Sequence, residues 1–309
     1  FAMFSTLIGC ALNVVLDPVA IFVLGWGMKG AALATITGQI VSALLAVYYL
    51  FRPKSFRLKR VSFKPDSEIL KHVLPLGISS FLTQVSIVVI MAVMNNVLVI
   101  YGAGSKYGAD IPMTVVGIVM KVFQIVISVV VGIAAGAQPI VGYNYGAGLW
   151  RRVKLIFRTM MAAEFSVGLV SLICFEVFPV QIISVFGSED GLYNEFAVLA
   201  FRVFLGGIVL CCIQKSCSIF LQSMGKPALS MLLSLLRDFV LSVPLTLVLP
   251  RFFGVTGALY SGPAADVISF GAAVLCMAAV FRKLNRLEDG EVALSGASQG
   301  GLAVERKIC

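Results

Sequence analysis

The sequence predicts an all-α integral membrane protein of about eight transmembrane helices, the last six forming a C-terminal lobe and the first two the end of a truncated N-terminal lobe. Three observations predict it. Hydrophobic residues make up 59% of the 309 residues and charged ones 13%, with a mean hydropathy of +0.99, more apolar side chain than one globular core absorbs. The apolar runs are about 20 residues or longer, enough for a helix to cross a hydrocarbon core of about 30 Å. They also lack the alternation of barrel strands of about 10 residues, and an unpaired backbone group in lipid costs several kcal/mol, which selects helices.

The runs fall at 4–24, 33–51, 73–99, 113–140, 155–180, 196–223, 228–250 and 257–281. The net charge of +9 raises the question of nucleic acid, but the basic residues cluster between apolar runs, so no nucleic-acid partner is expected. Numbering the connectors alternately puts the basic linker after Arg52, the turn with Arg151, Arg152, Lys154 and Arg158, Lys226, and the tail with Arg282, Lys283 and Arg286 on one side. The other side receives Lys29, Lys106 and Arg251, and its loop with Glu189 and Asp190 is acidic. The positive-inside rule then makes the C-terminus and Phe1 cytoplasmic in a multi-pass protein of the cell membrane.

Residues 53–72, basic and carrying Pro53 and Pro65, read as a cytoplasmic linker between residues 1–52, the last two helices of an N-terminal lobe, and the six-helix lobe 73–286. Residues 287–309, rich in Gly, Ser and Ala without apolar period, read as a disordered cytoplasmic tail. The chain opens on Phe1 with no basic n-region or cleavage site, so the start reads as truncated.

An internal repeat supports two parallel halves. The stretch from Val23 through Gly30-Ala31-Ala32 to Arg52 aligns with Val248 through Gly257-Ala258-Leu259 to Arg282, each ending a helix, turning at Gly-Ala and running to a basic stop. Gln39 then stands opposite Asp266, and four helices of a twelve-helix protein are expected ahead of Phe1.

Soluble-enzyme motifs are weak here. Gly25-x-Gly27-x-x-Gly30 matches a dinucleotide fingerprint in spelling, but no strand precedes it and it lies in a short turn. His72 is the sole histidine, so a His-based triad or metal site has no second member. The seven cysteines, mostly within apolar runs and without a C-x-x-C pair, read as small packing residues. No enzyme activity, metal or bound cofactor is expected.

Polar groups within the spans carry the functional information, because an ionisable side chain at mid-bilayer costs about 2.5–3.5 kcal/mol and needs a partner or water. Asp17 precedes the kink-capable Pro18, with Asn13 one turn back on the same face. Gln84, Lys121, Gln124, Gln138, Gln214, Lys215 and Asp266 follow in later spans. For Asp17, Gln84 and Asp266, a functional role and interhelical glue both remain open. Arg237 and Asp238, about 100° apart on a helix, read as locks pairing with different neighbours, and Glu164 and Arg202 read as span-end residues that snorkel.

The string from Gly136 to Gly148, Gly-Ala-Gln-Pro-Ile-Val-Gly-Tyr-Asn-Tyr-Gly-Ala-Gly, resembles the signature of the MATE (multidrug and toxic compound extrusion) family. Asn13 through Asp17-Pro18 to Gly30-Ala31-Ala32, Gly77 through Gln84, and Phe220 through Pro227 with Arg237 extend the resemblance to all but the tail. It implies a two-lobed antiporter that exports organic cations and amphipathic drugs by alternating access in exchange for Na⁺ or H⁺. It implies Asp17, in the matching Asn13-x-x-x-Asp17-Pro18 pattern, as part of an N-lobe ion-coupling network, and Gln84, Gln138 and Gln214 as substrate-cavity residues, to which the mid-span reading adds Lys121 and Asp266. Many members carry a glutamate near the place of Gln84, which puts a cation site there in doubt. The implied partners are small-molecule drugs, membrane lipid and the missing N-terminal helices, without which transport is not expected. A lipid-linked sugar flippase of the same wider superfamily is the alternative, favoured if Lys121, Lys215 and Arg237 line the cavity; a membrane-embedded enzyme using Asp17 and Asp266 is a third.

Overall fold

A computed structural model of the chain describes residues 2–51, 67–186 and 191–305. Most of the basic linker, the acidic stretch at 187–190 and Arg306 and Lys307 lie outside the described residues. The chain divides into two compact units, Phe1–Leu70 and Lys71–Cys309, each described here by itself.

The first unit is a helical hairpin. Helix α1 (Ala2–Pro18) passes into a π-helical segment at Val19–Val23, and α2 (Gly27–Phe51) returns. The turn between them needs positive φ at Gly25 (65°) and Gly27 (52°), which glycine adopts without steric cost, so the fingerprint-like string is a tight turn. The crossing is close because it is made of glycine: a Cβ on Gly9 would lie 2.8 Å from the Gly38 carbonyl oxygen, and one on Gly38 2.7 Å from that of Gly9. Small residues are how helices approach in lipid, where no hydrophobic force drives them together.

The second unit takes in α3 (Ser67–Ala103) from Lys71 onward and the long α4 (Asp110–Gly146), followed by α5 (Trp150–Val177) and the short α6 (Pro179–Ser184). Helices α7 (Leu192–Leu205) and α8 (Ile208–Ser223) form one apolar span bent by 41° at Gly206–Gly207. Helix α9 (Pro227–Leu235), a π segment at Leu236–Leu241, and α10 (Ser242–Phe253) make the next span, and α11 runs from Val255 to Glu305. Among the described residues seven helical stretches are long and apolar enough to cross a bilayer, and the bent pair, taken as one span, makes an eighth.

Two buried clusters hold this unit. One joins Leu98 of α3, Val119 of α4, Phe196 and Phe201 of α7 and Leu259 of α11; the other joins Val153 of α5, Phe220 of α8 and Met277 and Leu284 of α11. Large apolar side chains such as Ile100, Ile125, Val170 and Leu275 point outward, a surface that only lipid covers favourably.

The C-terminal stretch differs from the sequence expectation. Helix α11 continues through Glu305 instead of stopping near Leu287. Its first part beyond the span is anchored: Leu284 is buried, and Glu288 accepts an ion-paired hydrogen bond from Lys154 at the start of α5. Composition emphasised the glycines and serines and understated this tie to α5.

Candidate functional site

A cavity of about 400 Å³ opens within the second unit. On α4 the lining residues Met120, Phe123, Gln124, Ile127 and Val131 recur at helical spacing, so one stripe faces inward. Helix α3 contributes Thr83, Gln84, Met91 and Met94, α8 contributes Lys215, Ser218 and Gln222, and the π segment contributes Arg237 and Asp238. The wall is thus mainly apolar, aromatic and methionine-rich, with a few placed polar groups, the usual make-up of a small-molecule site.

A chain of four charges runs from this wall back to Asp266. Lys215 Nζ donates to Asp238 Oδ2 at 2.7 Å, Arg237 Nη1 to Asp238 Oδ1 at 2.7 Å, and Arg237 Nε to Asp266 Oδ1 at 2.7 Å. Asp238 and Asp266 are buried and the two cations nearly so, and two positive charges balance two negative ones. The guanidinium also lies 5.7 Å from the Phe123 ring centroid, which packs edge-on against Phe204. Gly207 makes the space: a Cβ there would come within 2.7 Å of Asp266 Oδ2. The bend at Gly206–Gly207 therefore admits the carboxylate, a signal present in the sequence as a Gly-Gly pair inside an apolar run.

The sequence-derived cavity set divides. Gln84 lines the cavity. Lys121 does not: it is exposed and stands beside the inward stripe of α4. Gln138 lies seven residues past Val131, beyond the lining, and is partly buried. Gln214 is fully buried but faces away from the cavity, its amide donating to the Leu233 carbonyl at 2.9 Å just before the π segment. Asp266 sits behind Arg237 and does not reach the cavity surface. Hydropathy located the spans of these residues; it carried no information on which face of each helix turns inward.

In the first unit Asn13, Asp17 and Thr35 do come together. In either orientation of its amide Asn13 donates to the Asp17 carboxylate, at 3.4 or 3.2 Å, and meets Thr35 Oγ1 at 3.2 Å. Thr35 was not foreseen; it is supplied by α2, and its hydroxyl also donates to the Ala31 carbonyl at 3.0 Å.

Two further expectations are corrected. Arg237 and Asp238 pair with each other as well as with other helices. Glu164, expected to snorkel, is fully buried midway along α5, with neither carboxyl oxygen hydrogen-bonded among the described residues. Among the described residues the cysteines are free and no group of three or more metal-ligating side chains occurs.

The fold and the site together define a multi-pass helical membrane protein with an interior cavity of mixed polarity. The MatE family model matches residues 75–248, more than half of the chain, and the chain belongs to that family. Multidrug export protein MepA of Staphylococcus aureus is 24% identical over 278 residues, covering 89% of this chain and 59% of the relative. The MepA of Staphylococcus saprophyticus is 26% identical over 275 residues with the same coverage. A solved outward-facing multidrug resistance MATE transporter of the MOP superfamily superposes with a TM-score of 0.80 at 24% identity, covering 92% of this chain and 63% of that one. A MOP superfamily transporter from Pyrococcus furiosus, described as having a binding pocket of reverse polarity, superposes at 0.77 with 23% identity, covering 93% and 63%. The chain thus spans about three-fifths of the length of the relatives it matches.

Proposed function

We propose that this chain works in a secondary antiporter that exports organic cations and amphipathic drugs across the cell membrane by alternating access, in exchange for Na⁺ or H⁺. The carrying observation is the cavity of about 400 Å³, whose aromatic and methionine wall accepts varied apolar bodies while Gln84 and Gln124 offer amide oxygens to a positive charge. The multidrug export proteins among the relatives support the cargo class. Asp17, held by Asn13, is the carboxylate that takes the coupling ion in the first unit. The basic turn at Arg151–Arg158 and the C-terminus face the cytoplasm in this reading.

Binding is the direct test, because the cavity lies wholly within the second unit. A fluorescent lipophilic cation titrated into the detergent-purified protein is expected to bind, with Phe123→Ala weakening affinity by about threefold to thirtyfold through loss of a cation–π face. Gln138→Ala, outside the cavity, is expected to leave it unchanged. Equal affinity in wild type and Phe123→Ala overturns the reading.

A flippase of lipid-linked sugars is the second reading, favoured by Lys215 and Arg237 in the wall. It ranks lower because Asp238 and Asp266 neutralise both cations and Lys121 stands off the wall. Displacement of the fluorescent cation by a pyrophosphate-bearing lipid, and not by other organic cations, would reverse that order.

A further inference from the structure

Glu164 is used by none of this. It is fully buried, and neither carboxyl oxygen has a hydrogen-bond partner among the described residues. Facing it from α8 is Ser216, also fully buried, whose hydroxyl is near enough to act on the carboxyl but makes no well-formed hydrogen bond with it or with any other described group. Two buried orphans facing each other across one helix seam are not an expected product of packing, since an unmet buried polar group is costly and rare.

The seam fixes their register. Helices α5 and α8 touch where a Cβ on Gly168 would lie 3.0 Å from Val209 Cα and 3.5 Å from Cys212 Sγ. One turn back on α5 from Gly168 is Glu164; one turn on along α8 from Cys212 is Ser216. A further turn brings Met160 of α5 and Phe220 of α8 into one buried cluster, so the antiparallel pairing runs on past the carboxyl and closes it off. The carboxyl therefore occupies a sealed pocket between two spans, and it does not line the cavity.

The surroundings decide what it binds. The titratable neighbour on α8 is the Cys212 thiol. Asp266 of α11 and Arg237 of the π segment act on Cys212 from farther along, already paired with each other. Among the described residues no charged side chain of α4, α6, α7, α8 or α11, the helices packed on α5, forms an ion pair with Glu164. A metal cation would need several oxygen ligands, and the seam offers the two carboxyl oxygens and one hydroxyl. A single proton satisfies the site: the neutral acid carries its own donor, and Ser216 Oγ is the acceptor in reach.

We propose that Glu164 is a proton-binding site of the second unit, neutral while the α5–α8 seam is closed and ionised when the seam opens to water. The carboxyl O–H bond forms on closure and breaks on opening, the proton passing to and from water. Because the seam is tight at Gly168, protonation and closure are one equilibrium, which ties proton occupancy to helix movement. The proposal concerns proton binding and holds whatever cargo the cavity takes.

The test is infrared difference spectroscopy on the purified protein in lipid nanodiscs, wild type against Glu164→Gln, between about pH 5 and pH 9. The expected result is a carbonyl band of a neutral carboxylic acid that Glu164→Gln removes, that fades as pH rises, and that Ser216→Ala moves to higher frequency. If Glu164→Gln fails to fold, the Ser216→Ala shift carries the assignment. Absence of the band at every pH, or a band unchanged across the range, overturns the proposal. So does a band abolished by Na⁺ at constant pH, which would make the site a cation site. A failed drug-binding assay leaves this measurement untouched, so the two readings fail separately.

Discussion

Arg237 and Asp238 are chain neighbours and are also ion-paired, Nη1 to Oδ1 at 2.7 Å, although adjacent residues on an ideal α-helix project about 100° apart. The π segment Leu236–Leu241 that holds both widens the helix at this point, and the long guanidinium folds back across the bulge. The same bulge aims Arg237 Nε at Asp266 on α11. One local departure from α-helix thus assembles a charge network spanning α8, α11 and the π segment.

That network predicts a strongly non-additive mutant cycle. Arg237→Met leaves Asp266 buried without its partner and should destabilise the protein by about 3–5 kcal/mol in unfolding experiments in detergent. Asp266→Asn in the same background removes the uncompensated charge and should recover most of the loss. Additive single and double variants would show that Arg237 and Asp266 are not energetically coupled.

The helix hairpins predict a second set of effects. A Cβ on Gly257 would overlap the Leu249 carbonyl oxygen, and one on Gly30 would meet that of Ala20 at 2.8 Å. These are the two glycines that the internal repeat aligns, and each lets its helix press on the backbone of the one before. Gly257→Val and Gly30→Val should each cost about 1–3 kcal/mol by overpacking. Gly117→Ala on α4, where nothing lies within 4 Å of the added atom, should instead stabilise by about 0.5–1 kcal/mol. Thermal unfolding with Gly257→Val and Gly30→Val both near wild type would mean the backbones are not in contact.

The contrast between these glycines and Glu164 shows where sequence reading ended. Each of the eight spans was legible because hydropathy sums over about 20 residues and tolerates errors at either end. The hairpins near Gly30 and Gly257 were legible because glycine beside a span boundary has few other uses, but the turns themselves fall at Gly25–Gly27 and Gly254, and both aligned glycines lie in the first turn of the returning helix. Facing was not legible: Gln84 and Gln124 line the cavity while Lys121 and Gln138 do not, and a helix that is apolar all round carries no stripe to orient it. The pairing of Asp266 with Arg237, 29 residues away, depends on how α11 packs against a bulge that no local pattern announced.

Orientation yields the third prediction. With single cysteines placed in a cysteine-free background, a membrane-impermeant maleimide applied to intact cells should label position 106 and spare position 151 until the membrane is opened. Lys106 lies in the loop between α3 and α4, and Arg151 in the first turn of α5, at opposite ends of α4. Labelling of position 151 from outside would reverse the topology and set the positive-inside assignment aside.

The loop between α3 and α4 carries the fourth prediction, in which the sign of a pH effect is fixed by structure. Lys106 Nζ donates to Glu195 Oε1 at 2.7 Å, and the Tyr107 hydroxyl donates to the same oxygen at 3.1 Å. The hydrogen bond to Glu195, and after it the one to Tyr107, raises the Lys106 pKa above its usual 10.5. A cation whose pKa is raised by folding stabilises the fold fully below its unfolded value and loses that contribution as pH climbs through the folded one. The difference in melting temperature between wild type and Lys106→Met should therefore stay constant between about pH 6 and pH 9 and shrink only above 10.5. Because both side chains are more than half exposed, the difference should be small and should diminish with added salt. A difference that varies steeply near neutral pH would mean that Lys106 acts through some group other than Glu195.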